Sequence, residues 1–119
     1  MFQAQLLMAG TDVYSPWFPR GGDYLRATLE VVAQSGGNNL TVRVFSKKAE
    51  DTGDGANADN GDTTTIVRNS AGRTTTEWQG KSLTPGLSEL VRYKFSLAGS
   101  TGWSLFRMLD PVWFNAVAI

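Results

Sequence analysis

Apolar and polar residues alternate along most of this chain with a period of two, the signature of a strand that buries one face. Between residues 24 and 34 the apolar set is Leu25, Ala27, Leu29, Val31 and Ala33, with Arg26, Thr28 and Glu30 between them. After Ser35-Gly36-Gly37-Asn38-Asn39 the alternation resumes with Leu40, Val42 and Val44, and the two runs joined by these turn residues predict a hairpin. A third run, 89–98, sets Val91, Tyr93, Phe95 and Leu97 against Arg92, Lys94 and Ser96. The opening run sets Phe2, Ala4, Leu6 and Met8 against Gln3 and Gln5, which predicts a half-buried strand with Leu6 and Met8 on its core side.

Glycine, proline, asparagine and aspartate punctuate these runs. Residues 14–22, with two prolines and two glycines, predict an irregular aromatic loop. Residues 63–68 and 73–79 read as threonine-rich strands around Asn69-Ser70-Ala71-Gly72. Gly99-Ser100-Thr101-Gly102 leads into 103–109, and Asp110-Pro111 separates that run from 112–119. No segment longer than about ten residues has helical spacing. About eight strands at this interval predict an all-β antiparallel sandwich, of jelly-roll or immunoglobulin-like type, forming a single domain over residues 1–119.

Composition removes much chemistry. The chain has no cysteine and no histidine, so disulfides, thiolate nucleophiles, Cys/His zinc sites, imidazole bases and a Ser-His-Asp triad are all excluded. What remains for an enzyme is carboxylate, hydroxyl or lysine chemistry, and the best constellation is a carboxylate pair of the glycosidase kind, for instance Glu77 with Glu89 or Glu30 with Asp23; nothing in the spacing brings either pair together, so no enzyme, cofactor or small-molecule substrate is expected. Lys+Arg and Asp+Glu number 11 each, and the net charge of zero argues against a nucleic-acid partner. No run approaches a membrane span, and no signal peptide is recognisable in the first thirty residues, so synthesis in the cytoplasm is expected.

The zero is a sum of unlike parts. Residues 48–62 hold one lysine against five acids, net −4, which leaves +4 for the rest. This exposed loop offers Asp54, Asn57, Asp59 and Asp62 as oxygen donors for calcium, but no Glu follows Asn57, Asp59 and Gly61 at the EF-hand distance, and a solvated Asp/Asn/Gly loop accounts for it. Tyr14, Trp17 and Phe18 on the proline-flanked loop make a rigid platform for contact, or a plug for the end of the sandwich. The C-terminal run carries more apolar side chains than one sandwich face absorbs. Trp113, Phe114, Val117 and Ile119 are therefore interface candidates as well, unless 103–119 is the centre of the core.

A small β domain with an aromatic loop, an acidic loop and surplus apolar strands resembles, in size and pattern, the head-decoration (cement) and minor capsid proteins of tailed bacteriophages. That resemblance implies a homo-oligomeric virion subunit, a trimer first of all, bound to itself and to a major shell protein through strand edges and loops. The alternative is a lectin-like carbohydrate-binding module that stacks sugars on Trp17, Phe18, Trp78 or Trp113, with calcium as a possible aid.

Overall fold

The computed structural model describes residues 3–53, 65–78 and 88–115, and the backbone of 56, 57 and 79. These form strands and no helix: β1 (Gln5–Met8), β2 (Asp12–Tyr14), β3 (Phe18–Pro19), β4 (Tyr24–Ser35), β5 (Leu40–Lys47), β6 (Ala56–Asn57), β7 (Ile66–Arg68), β8 (Gly72–Gln79), β9 (Leu90–Leu97), β10 (Trp103–Met108) and β11 (Val112–Phe114). All pairings are antiparallel. One sheet, A, runs β1-β10-β4-β8, with β11 beside β4 on the side that β10 occupies. The other, B, runs β2-β9-β5-β7, with β3 also on β9 and β6 also on β5.

The chain crosses between sheets at nearly every step: β1 in A, β2 in B, β4 in A, β5 and β7 in B, β8 in A, β9 in B, β10 in A. The four main strands of each sheet, in these orders, have the arrangement of an eight-stranded jelly roll, one of the two sandwich types the alternation predicts, with the short β3, β6 and β11 added to it. Strands β4 and β5 are therefore not a hairpin. Gly36 and Gly37, at φ of 91° and 64°, carry the chain from one sheet to the other. Both runs still point their apolar residues at one interior, because alternation is satisfied as well by face-to-face packing as by pairing.

That interior is closed by Leu25, Ala27, Leu29, Val31 and Trp78 from sheet A and by Leu40, Val42, Val44, Val91 and Tyr93 from sheet B, each with 1% or less of its surface exposed. Phe106 of β10 meets Phe95 of β9 across the gap, ring centroids 4.8 Å apart. At roughly 25 cal/mol per Å² of apolar surface, each such aromatic contributes a few kcal/mol.

Two further expectations are corrected by the register. Leu6 and Met8 face outward and Leu7 faces the core, with exposures of 61%, 53% and 6%. Alternation establishes that one side of β1 is apolar, and pairing decides which side turns inward. In the β4–β10 pair the register shifts between Leu105 and Phe106 of β10, so Val32 of β4 is an extra, half-exposed residue and Ala33 stands opposite Leu105, out of line with the buried set that ends at Val31. The aromatic loop is also partly strand. Asp12–Tyr14 and Phe18–Pro19 both add to the edge of β9, where a proline costs no ladder hydrogen bond.

Candidate functional site

The two outer faces of the sandwich differ in chemistry. On sheet A, polar and apolar residues are segregated along the strands. In the middle, Glu30 accepts hydrogen bonds from Arg73 Nε at 2.8 Å and Arg107 Nε at 2.6 Å, from the strands on either side of β4. Arg26 grips Glu77 through Nε and Nη2 at 2.9 and 2.8 Å, and the Thr28 and Thr75 hydroxyls pair at 2.8 Å. The two guanidinium groups hold the Glu30 carboxyl below the ordinary glutamate value. Toward the Tyr24 end, Phe114 stacks on Tyr24 with centroids 4.9 Å apart, and Arg26 lies over the Phe114 ring.

Toward the Ser35 end the same face is apolar. Leu6 stands opposite Leu105 and Met8 opposite Trp103, and the four line a shallow depression with no polar atom in its surface. Val32, half exposed, extends this band. Strand β1 is the edge of sheet A, so an apolar face and an open backbone edge lie together. The alternation of β1 contains the signal for this band, but its inward direction cannot be read from sequence.

The outer face of sheet B is basic and aromatic. It is built from Arg43, Phe45 and Lys47 of β5, Arg92 and Lys94 of β9, and Tyr14 of β2, all at positions that alternate with buried residues. Arg43 stands opposite Lys94, which stands opposite Tyr14, and Phe45 stands opposite Arg92. Ser15 fixes the aromatic segment here: its N–H donates to the Tyr93 carbonyl and its Oγ accepts from the Tyr93 N–H, both at 2.9 Å. That anchor lays Tyr14 and Trp17 on either side of Arg92, whose guanidinium carbon is 3.9 and 4.4 Å from the two ring centroids. Lys47 lies 4.7 Å from Trp17, and Tyr14 meets Phe45 edge-on at 5.7 Å. Among the described residues, Asp12 is the one acid on the strands of this face, 3.6 Å from Lys94.

The interface candidates thus separate. Tyr14 and Trp17 belong to the basic face of sheet B, Phe114 to the far end of sheet A, and Phe18 is buried against Tyr93 with centroids 5.2 Å apart. Trp113 is half-buried and lines a cleft with Phe18, Pro19, Arg20, Gly21, Asp110 and Pro111. Val117 and Ile119 lie outside the described residues, as do Asp54, Asp59 and Asp62; Asn57 is described by its backbone alone. Among the described residues no group of three Asp or Glu is placed to hold a metal. Glu77 lies on β8 of sheet A and Glu89 just ahead of β9 of sheet B, and Asp23, just ahead of β4, is seven residues of extended chain from Glu30, about 23 Å, too far for a glycosidase pair. Of the rings offered for sugar stacking, Trp78 is fully buried and Phe18 nearly so.

The chain matches no described protein family, no curated protein and no solved structure.

Proposed function

We propose that this chain is a non-catalytic structural subunit of a virion, a decoration or cement protein that self-associates and seats on a bacteriophage shell. The observation that carries this reading is the apolar band of Leu6, Met8, Trp103 and Leu105 on an edge of the sandwich. In a trimer, three copies turn their bands toward a common axis, and the ion-paired row of Glu30, Arg73 and Arg107 forms the polar rim.

Two points support another molecule as the cover. The band aligns with Ala33 and Ser35 of β4, whereas β11 ends opposite Tyr24, eleven residues or about 35 Å away. Residues 80–87 leave β8 at Gln79, also opposite Tyr24, and residues 58–64 join strands of the other sheet. The jelly-roll order is shared by viral capsid domains and by lectins, so the fold alone favours neither assembly nor sugar binding. The burial of Phe18 and Trp78 removes two of the four rings on which the sugar-binding alternative relies and leaves it Trp17 and Trp113.

The test is solution mass by light scattering at two concentrations about tenfold apart. A stable oligomer, a trimer first of all, supports the proposal. A monomer at both concentrations overturns self-association as its basis.

A further inference from the structure

Among the described residues, β1 has a neighbouring strand on one side only, and the register shows which main-chain groups lie on the other. The β1–β10 pairing continues past the strand ends to Ala9 and Gly102, where the Ala9 N–H donates to the Gly102 carbonyl at 3.0 Å. Hydrogen-bonded pairs alternate along an antiparallel ladder, so Gln5, Leu7 and Ala9 turn their N–H and C=O groups toward β10. Leu6 and Met8, which stand opposite Leu105 and Trp103, turn theirs outward in the plane of the sheet. Thr11 takes up the Met8 carbonyl, its N–H reaching it at 3.2 Å and its Oγ1 at 2.5 Å. The Leu6 N–H and C=O and the Met8 N–H are left at the edge.

The other edges of the sandwich are guarded. β8 carries Arg73 and Glu77, β7 carries Arg68 and β2 carries Asp12. β3 contains Pro19, β6 is two residues long, and β11 begins directly after Pro111. Charge, proline and shortness are the means by which sheets keep their edges from pairing with other molecules. Residues 3–10, by contrast, contain neither a charged residue nor a proline. A charged strand that meets its own copy antiparallel sets like charges against each other, which costs stability. β1 meets no such penalty.

We propose that β1 pairs antiparallel with β1 of a second copy across a two-fold axis at Leu6, so that the two A sheets become one. In that register Leu6 exchanges both main-chain bonds with Leu6 of the second copy, and the Met8 N–H meets the carbonyl of Ala4 of the second copy. The Met8 carbonyl, already used by Thr11, is not needed. On the outer face Leu105 and Leu6 continue into Leu6 and Leu105 of the second copy, so the apolar band runs across the axis instead of ending at β1. The inference rests on the self-association proposed above and names one of its contacts. Band side chains stand off the sheet while these main-chain groups lie in its plane, so the two-fold contact uses atoms other than those a three-fold contact through the bands would use.

The test is amide hydrogen exchange of the full chain, read residue by residue by NMR in the oligomer. Leu6 and Met8 should exchange at least tenfold more slowly than the same residues in an unstructured chain, alongside Leu7 and Ala9, whose amides are bonded to β10. Two variants separate the edge from the band. Leu6→Pro removes the outward N–H without costing a bond to β10, and Leu6→Ala removes the same side chain but keeps the N–H. Leu6→Pro should associate at least tenfold more weakly than Leu6→Ala. Thermal melts confirm that both fold; if Leu6→Pro does not, exchange in the parent decides. An oligomer in which Leu6 and Met8 exchange as fast as an unstructured chain overturns the pairing and leaves self-association through the band standing, as does equal association by the two variants. A monomer overturns both.

Discussion

Met8 stands directly opposite Trp103 across the β1–β10 pair, and both face away from the core on the last two strands of sheet A. Met8 is 53% exposed, and Leu6, the next residue on the same side, is 61% exposed. A half-exposed side chain outside the core can be charged at little cost to the fold, within about 0.5 kcal/mol. Met8→Glu should therefore leave the melting temperature near that of the parent and weaken self-association at least tenfold, because the new carboxylate is desolvated only in the assembly. Sedimentation of the variant beside the parent checks this. An unchanged oligomer would mean that the band faces solvent in the assembly.

Glu30 supplies a pH dependence whose sign can be worked out. Arg73 and then Arg107 hold its carboxyl below the ordinary value by hydrogen bonding to the charged form. A carboxyl whose folded pKa is depressed adds stability that is present above its unfolded value, about 4.3, and is lost as pH falls through the lower folded value. Glu30→Gln should accordingly narrow the stability difference between pH 6 and pH 3, measured by urea unfolding at the two pH values. Equal loss in parent and variant would show that other carboxylates carry the acid response.

These two sites differ in how far the sequence discloses them. The strands were legible because alternation survives any topology: Val91, Tyr93, Phe95 and Leu97 face the core as their spacing requires. Partner and side were not legible. The turn at Gly36-Gly37 suits a hairpin as well as a crossing between sheets, and the apolar side of β1 looked like a core side because alternation carries no direction. The cation cluster was invisible for a different reason. Arg43 and Lys94 are fifty-one residues apart in the chain and become neighbours only through the β5–β9 register. Tyr14 and Trp17 stood out in the sequence, but nothing there placed Arg92 between them.

Phe106 fastens the two sheets together through Phe95, and 1% of its surface is exposed. Truncation to alanine removes the ring and leaves a cavity that the facing sheets cannot fully close. A cost of about 3–5 kcal/mol is expected for Phe106→Ala, a large share of the total for a domain of ordinary stability. Chemical denaturation should show a lower midpoint with the slope preserved. A loss below about 1 kcal/mol would contradict the placement of this ring between the sheets.

Gly102 bears on both the fold and the apolar band, because it immediately precedes Trp103 and its carbonyl accepts the Ala9 N–H at 3.0 Å. Its φ is +109°, and a Cβ there would lie 2.6 Å from the Ser35 carbonyl oxygen, a backbone atom that cannot swing aside. Gly37 is the natural control, with a φ of +64° and open space around the position. Gly37→Ala should cost about 1 kcal/mol, the left-handed penalty alone. Gly102→Ala should cost more, about 1–3 kcal/mol, and should displace Trp103 from its place opposite Ser35 and Met8. Denaturation curves give the first comparison. The second is read by self-association, which should weaken in the Gly102 variant and stay unchanged in the Gly37 variant. If both variants lose equal stability and associate alike, the close approach to Ser35 does not set the position of Trp103, and the band must be held in place by β1 alone.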